Sequence, residues 1–251
     1  MPPPPPPIYG APPTSGSGYS AVAALQDGWA RFTKSPSTLL VPALFVLIAV
    51  IVLEVVTQVI LRATLLDTHS CTKTVLGTKI TDAQCGPGFL TSLFATALAG
   101  LIVSVVVQLL GAGLIKCALN AVDGLPVDSG DVFGYALRPN VVSAAVIVSV
   151  ATFVGTLLCY LPGLIVGFLT MFTMFYVVDK DMPALDAVKA SVSLTTSRLG
   201  DTVLFYVLGL VCIVVGAILC LVGLLAAVPV VLAAAAYTFR VLNDEPVAPA
   251  A

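Results

Sequence analysis

The run LFVLIAVIVL, residues 44–53, is apolar at every position. A strand of a membrane barrel alternates apolar and polar residues, because it faces lipid and lumen in turn, and this run does not alternate. A helix in lipid satisfies its backbone internally and crosses the hydrocarbon with about 20 mostly apolar residues. The surrounding text supplies that length and predicts a spanning helix over 38–62. The same criterion predicts five more, over 89–119, 141–160, 162–178, 202–221 and 224–241. Pro42 and Pro229 fall inside these helices and are expected as bends.

Composition agrees. Of 251 residues, 59% are hydrophobic and 10% charged, with mean hydropathy +1.07. Soluble domains carry about 25% charged residues, so the excess apolar surface here must face lipid. The net charge of -2 gives no basic field for nucleic acid. The start, MPPPPPPIYGAPPTSGSGYS, lacks the basic and apolar regions of a signal peptide. Residues 1–19 are expected as a disordered, proline-rich cytoplasmic tail, with docking to a proline-reading partner as the sharper alternative. Residues 246–251 are expected as a second disordered tail, flanking a membrane domain over 20–245.

Basic residues orient the spans. With both termini inside, Arg31, Lys34, Lys116, Arg138, Lys180, Lys189, Arg198 and Arg240 lie on the inner side. Only Arg62, Lys73 and Lys79 lie outside, a bias of eight to three. One outer loop, 65–88, is long; the other outer turns are tight, near 160–163 and 221–223.

Those two turns nearly repeat each other: VGTLLCYLPGL (154–164) and VGAILCLVGLL (215–225). The inner side repeats as well. Amphipathic segments precede spans 1, 3 and 5, at 20–34, 129–138 and 183–198, and such helices lie in the bilayer interface. Val22, Leu25, Trp29 and Phe32 form the apolar face of the first, and Leu185, Val188 and Val192 that of the last. Each ends in a cation, a breaker and a capping residue: Lys34-Ser-Pro36-Ser37, Arg138-Pro139-Asn140 and Arg198-Leu-Gly200-Asp201. The expected fold is an all-α integral membrane protein. Its six transmembrane helices form three tandem units, about 20–120, 128–179 and 183–243. Each unit is an interfacial amphipathic helix plus a transmembrane hairpin.

The proline-rich head, DGWARFTKSPSTLLVPAL (27–44), DAVKASVSL (186–194) and AYTFRVLND (236–244) resemble proline- and glycine-rich integral membrane proteins of actinobacteria. More distantly, the chain is similar to the membrane-domain family attached to some glycerophosphodiester phosphodiesterases. The resemblance implies a bacterial cell-membrane protein and supplies no catalytic residues.

Chemistry-bearing residues are few. Glu54 is the carboxylate well inside a span, where a charge costs about 2.5–3.5 kcal/mol. Gln58 lies one turn on, and Ser104 and Gln108 of the second span sit at similar depths. These four form a candidate polar intramembrane site, with Glu54 expected to face that span or a central crevice. Cys71 and Cys85 are expected to pair as a disulfide in the outer loop; the alternative is a metal site with His69 and Asp67 or Asp82. Cys159 and Cys220 end corresponding spans, while Cys117 and Cys212 are expected to pack, as are MFTMFY (171–176), Gly163, Gly167, Gly209, Gly216 and Gly223. No metal-ligand cluster, phosphate loop or nucleophile pattern appears, so neither an enzyme nor a cofactor is expected. The expected function is a non-enzymatic accessory or scaffold protein of the cell envelope, with membrane lipids and an envelope protein as partners. The alternative is a small transporter or lipid translocator with a polar path near Glu54.

Overall fold

The computed structural model describes residues 19–34, 36–65, 69–75, 78–85, 89–126, 131–158 and 160–249, with side chains except at 38, 64–90, 131–133, 158, 160 and 220–222. In chain order these form α1 (Ala21–Lys34), α2 (Pro36–Leu65), β1 (His69–Val75), β2 (Thr78–Cys85), α3 (Phe89–Val122), α4 (Asp131–Ala136), α5 (Pro139–Leu158), α6 (Tyr160–Leu169), α7 (Thr173–Lys180), α8 (Ala184–Ser197), α9 (Leu199–Ile218) and α10 (Cys220–Leu242). Among the described residues, six stretches are long and apolar enough to cross a membrane: Leu39–Ala63, Thr91–Val122, Pro139–Leu157, Leu161–Lys180, Leu199–Ile218 and Gly223–Leu242. The chain is therefore a helical membrane protein. The first eighteen residues, expected as a tail, lie outside the described residues.

The fourth span differs from the continuous helix expected over 162–178. It breaks at 170–172, between α6 and α7. Neither proline nor glycine sits there; Ser191 of α8 replaces the lost ladder bonds. Its hydroxyl donates to the Leu169 carbonyl at 2.8 Å and accepts from the Phe172 amide at 3.2 Å. Two further buried hydroxyls, of Thr173 and Thr195, have no partner among the described residues. The two kinds of hydroxyl have opposite expected effects. Ser191→Ala strands a buried amide and carbonyl and should destabilise by about 1–3 kcal/mol. Thr195→Val removes an unpaired hydroxyl and should be neutral or stabilising. Thermal unfolding in detergent reads both.

The three short helices α1, α4 and α8 stand where amphipathic segments were expected, but α1 and α8 dock by their small residues. Ala21, Ala24, Gly28 and Arg31 are the buried residues of α1; Ala184, Ala187, Ser191, Leu194 and Thr195 are those of α8. Val22, Trp29 and Leu185 are exposed, and Leu25, Phe32, Val188 and Val192 are partly so. In lipid there is no hydrophobic drive between helices, so close approach through small residues wins the contact and bulky apolar groups are left to lipid. Gly28 is the extreme case: a Cβ there would sit 2.5 Å from the Val230 carbonyl oxygen of α10.

The junctions also differ in detail. Pro36 and Pro139 are first helical residues, where a missing amide costs nothing. Gly200 does not break the chain; the bend is at Arg198. Asn140 donates to Asp181 instead of capping α5, at 3.2 Å to its carbonyl oxygen and 3.3 Å to its carboxylate. Thr202 stitches α8 to α9 by donating towards Thr195, Leu199 and Arg198 carbonyls.

Both quoted turns are closed by a glycine against a glycine. A Cβ on Gly155 would lie 3.0 Å from Gly163 Cα, and one on Gly216 would lie 3.0 Å from the Gly223 carbonyl oxygen. Only at such contact can two antiparallel helices meet within so short a connection.

The core gathers near one end of the bundle. There Phe172, Phe175 and Tyr176 surround Phe239, with ring centroids 6.1, 5.5 and 4.9 Å from it. At the other end α2 and α3 project. At 30 and 34 residues they are about 45 and 51 Å long, against about 30 Å for the 20-residue α9. They lead into β1 and β2, an antiparallel hairpin that the all-helical expectation lacked. Its register sets Cys71 opposite Ala83 and Cys85 opposite His69. The two cysteines are thus one diagonal apart, beyond the direct cross-strand approach a disulfide favours. The expected bond is not shown, and these side chains lie outside the described ones.

Candidate functional site

The four polar residues read as one intramembrane site are not brought together. Glu54 is exposed on α2, and its carboxylate accepts one hydrogen bond, from the Gln58 amide at 3.0 Å. It is not buried against α3 or in a central crevice. The partly buried stripe of α2 runs through Val50, Leu53, Thr57 and Leu61, which places Glu54 and Gln58 beside the packed side instead of on it. Ser104 turns away to donate to Ser149 of α5 at 3.1 Å. Gln108 is partly buried on α3.

A polar constellation that sequence reading missed lies at the core end. Arg240, near the end of α10, uses all five of its N–H groups. Two go to Asp123 (3.0 and 2.7 Å), two to Asp179 (both 2.7 Å) and one to Glu245 (2.5 Å). Lys180 reaches the other oxygen of Glu245 at 2.7 Å, its ammonium lying 5.6 Å from the Phe239 ring centroid. The Tyr176 hydroxyl donates to Asn243 at 2.8 Å. The logic is electrostatic. Helices α3, α7 and α10 all end here, and each C-terminus carries about half a negative charge. Asp123 and Asp179 add full charges at the ends where acidic residues are disfavoured. A saturated bidentate guanidinium offsets both. The legible signal was that mismatch: an Asp directly at the end of an apolar span demands a cation.

The last described residues join this end. The Ala248 amide donates to the Val122 carbonyl at 3.1 Å. Arg31 of α1, paired with Asp27 at 2.6 Å, donates to the Ala121 and Ala248 carbonyls at 2.7 and 2.5 Å. Residues 246–249, expected within a disordered tail, are instead a strap with Ala248 buried. Tyr19 closes the other side through a 2.8 Å bond with Thr238, and burial raises its pKa to about 12.

Chemically this cluster locks helices; with every donor of Arg240 engaged, none is left for a ligand. Burial raises the Glu245 pKa, but bonds from Lys180 and Arg240 outweigh it and hold the carboxyl below its ordinary 4.5. A lowered folded value means Glu245 contributes stability above pH 4.5 that is lost as pH falls through the lower value. Glu245→Gln should therefore lower stability at neutral pH and flatten the acid side of the profile. Unfolding midpoints in detergent from pH 3 to 7 measure this.

Among the described residues no group of three His, Cys, Asp or Glu side chains is placed to hold a metal ion. The His69 alternative involves side chains outside the described ones.

No family model and no solved structure matches the chain. The expected likeness to phosphodiesterase membrane domains gains no support from these comparisons. Relatives do match. "Uncharacterized protein Rv2560" of Mycobacterium tuberculosis (strain ATCC 25618 / H37Rv) is 32% identical over 232 residues, covering 90% of this chain and 70% of its own. "Uncharacterized protein Mb2590" of Mycobacterium bovis is similar to the same extent. With these lengths and identities, and with six spans of its own, the chain belongs to the family of these uncharacterised mycobacterial proteins.

Proposed function

We propose that the protein is a non-enzymatic accessory or scaffold protein of the bacterial cell membrane, with both termini cytoplasmic. The observation that carries this reading is where its polar groups go. At the core end, charged groups are spent on one another in a saturated cluster around Arg240. In the spans, the Glu54–Gln58 pair is turned outward, where a neighbour and not a solute meets it. The alternative of a transport path near Glu54 draws less support, because that carboxylate is exposed.

Orientation rests on the basic bias and on the shared end of the termini, tied by Arg31 to Ala248. Lys34, Arg138 and Arg198 are exposed at the ends of α1, α4 and α8 and form no salt bridge among the described residues. They are suited to anionic headgroups. Affinity purification from native membranes tests the reading. A protein partner in constant ratio, with retained phospholipid, is expected; a stoichiometric non-lipid solute without any protein partner would overturn it.

A further inference from the structure

Among the described residues, one face of the second half of α2 is left uncovered. Ile48, Ile51 and Val55 are exposed there, as are Glu54 and Gln58. Ile51, Glu54, Val55 and Gln58 follow the i, i+3, i+4, i+7 spacing that puts four side chains on one helical face. Glu54 lies about 22 Å along the helix from Leu39, inside a hydrocarbon layer of roughly 30 Å. Arg62 continues the face about 34 Å from Leu39, past that layer, where its charge is hydrated. Within the layer Glu54 and Gln58 bond only each other, through one N–H and one carboxyl oxygen. The other carboxyl oxygen, the second amide N–H and the amide oxygen of this pair have no partner among the described residues.

We propose that this face joins two copies of the chain in a parallel two-fold dimer with Glu54 and Gln58 at its centre; the proposal rests on the accessory-protein reading above. A two-fold axis along the membrane normal sets each residue against its own copy at the same depth. The Gln58 amide keeps a free N–H and the Glu54 carboxyl a free acceptor oxygen, so the pair is complementary to its own copy. No cation is needed, and none of the described cations reaches Glu54. A foreign helix would have to present matching groups at two depths one turn apart, which a second copy does by construction. Ile51 and Val55 flank the polar pair and supply its apolar packing.

The test uses full-length protein, labelled with donor or acceptor fluorophores and diluted into phosphatidylethanolamine–phosphatidylglycerol vesicles. Energy transfer that falls with dilution along a dimer isotherm is expected. The double substitution Glu54→Leu, Gln58→Leu should weaken association about tenfold or more. Val211→Leu, on an exposed face of α9, should leave it unchanged. As a second measurement, Val55→Cys in a chain whose six native cysteines are serine should cross-link to its own copy in native membranes. Transfer at the random-mixing level, a double variant as tight as wild type, or cross-linking of Val55→Cys only to a different protein would each overturn the dimer. If a foreign partner still co-purifies in constant ratio, the dimer alone has failed. If no partner co-purifies, the accessory reading has failed too.

Discussion

Replacing Arg240 by methionine is expected to be among the most destabilising single changes in the chain, by about 3–5 kcal/mol. The guanidinium holds Asp123, Asp179 and Glu245 together, with its side chain only 12% exposed. Removing it leaves carboxylates of like charge facing one another beside three helix C-termini. Lys180 can answer only Glu245. Arg240→Lys should recover little, because an ammonium cannot make two parallel bonds to two carboxylates. Combining Arg240→Met with Asp123→Asn and Asp179→Asn should restore part of the loss, since the repulsion goes with the charges. Thermal unfolding of the four proteins in one detergent measures this. An Arg240→Met protein as stable as wild type would show that the cluster is solvated and not a lock.

Enlarging Gly28 is the second large effect. A Cβ at this position would lie 2.5 Å from the Val230 carbonyl oxygen and 3.1 Å from the Ala234 amide nitrogen. Both are backbone atoms of α10, so no rotamer change relieves the clash. Gly28→Val is expected to lift α1 from α10 at a cost of about 3 kcal/mol. The displacement should also release Arg31 from Ala121 and Ala248, freeing the C-terminal strap. Limited proteolysis should then cleave near residues 19–34 and 243–249 faster than in wild type. Ala23→Val, on the exposed side of α1, should change neither stability nor cleavage.

The spans were readable because lipid imposes one rule, a long apolar run with internal hydrogen bonding, and LFVLIAVIVL obeys it. The short helices were readable from periodicity, but their docking face was not. In water the Val22, Leu25, Trp29 and Phe32 stripe would be the buried one; beside lipid the Ala24 and Gly28 stripe is. The break at 170–172 was hidden because its cause, Ser191, lies nineteen residues away on another helix. Glu54 was expected to face the second span or a central crevice and is instead exposed on α2, since sequence depth does not say which neighbour a helix face meets. Arg240 was read as an orienting cation, and its three carboxylates, from three distant segments, are joined only by the fold. The tandem-unit arrangement was an expectation from the repeated turns and junctions, and the broken α6–α7 span departs from the hairpin expected of its second unit. Superposing 183–241 on 129–178 should pair α9 with α5 and α10 with α6–α7; an inverted axis between them would remove that expectation.

Six crossings with both ends on the inner side are tested most directly by thiol labelling of intact cells carrying single cysteines. On a background without native cysteines, Thr78→Cys in the β1–β2 hairpin should react with a membrane-impermeant maleimide from outside. Asp186→Cys on α8 should react only after the membrane is opened. Labelling of Asp186→Cys in intact cells, with Thr78→Cys protected, would contradict the topology.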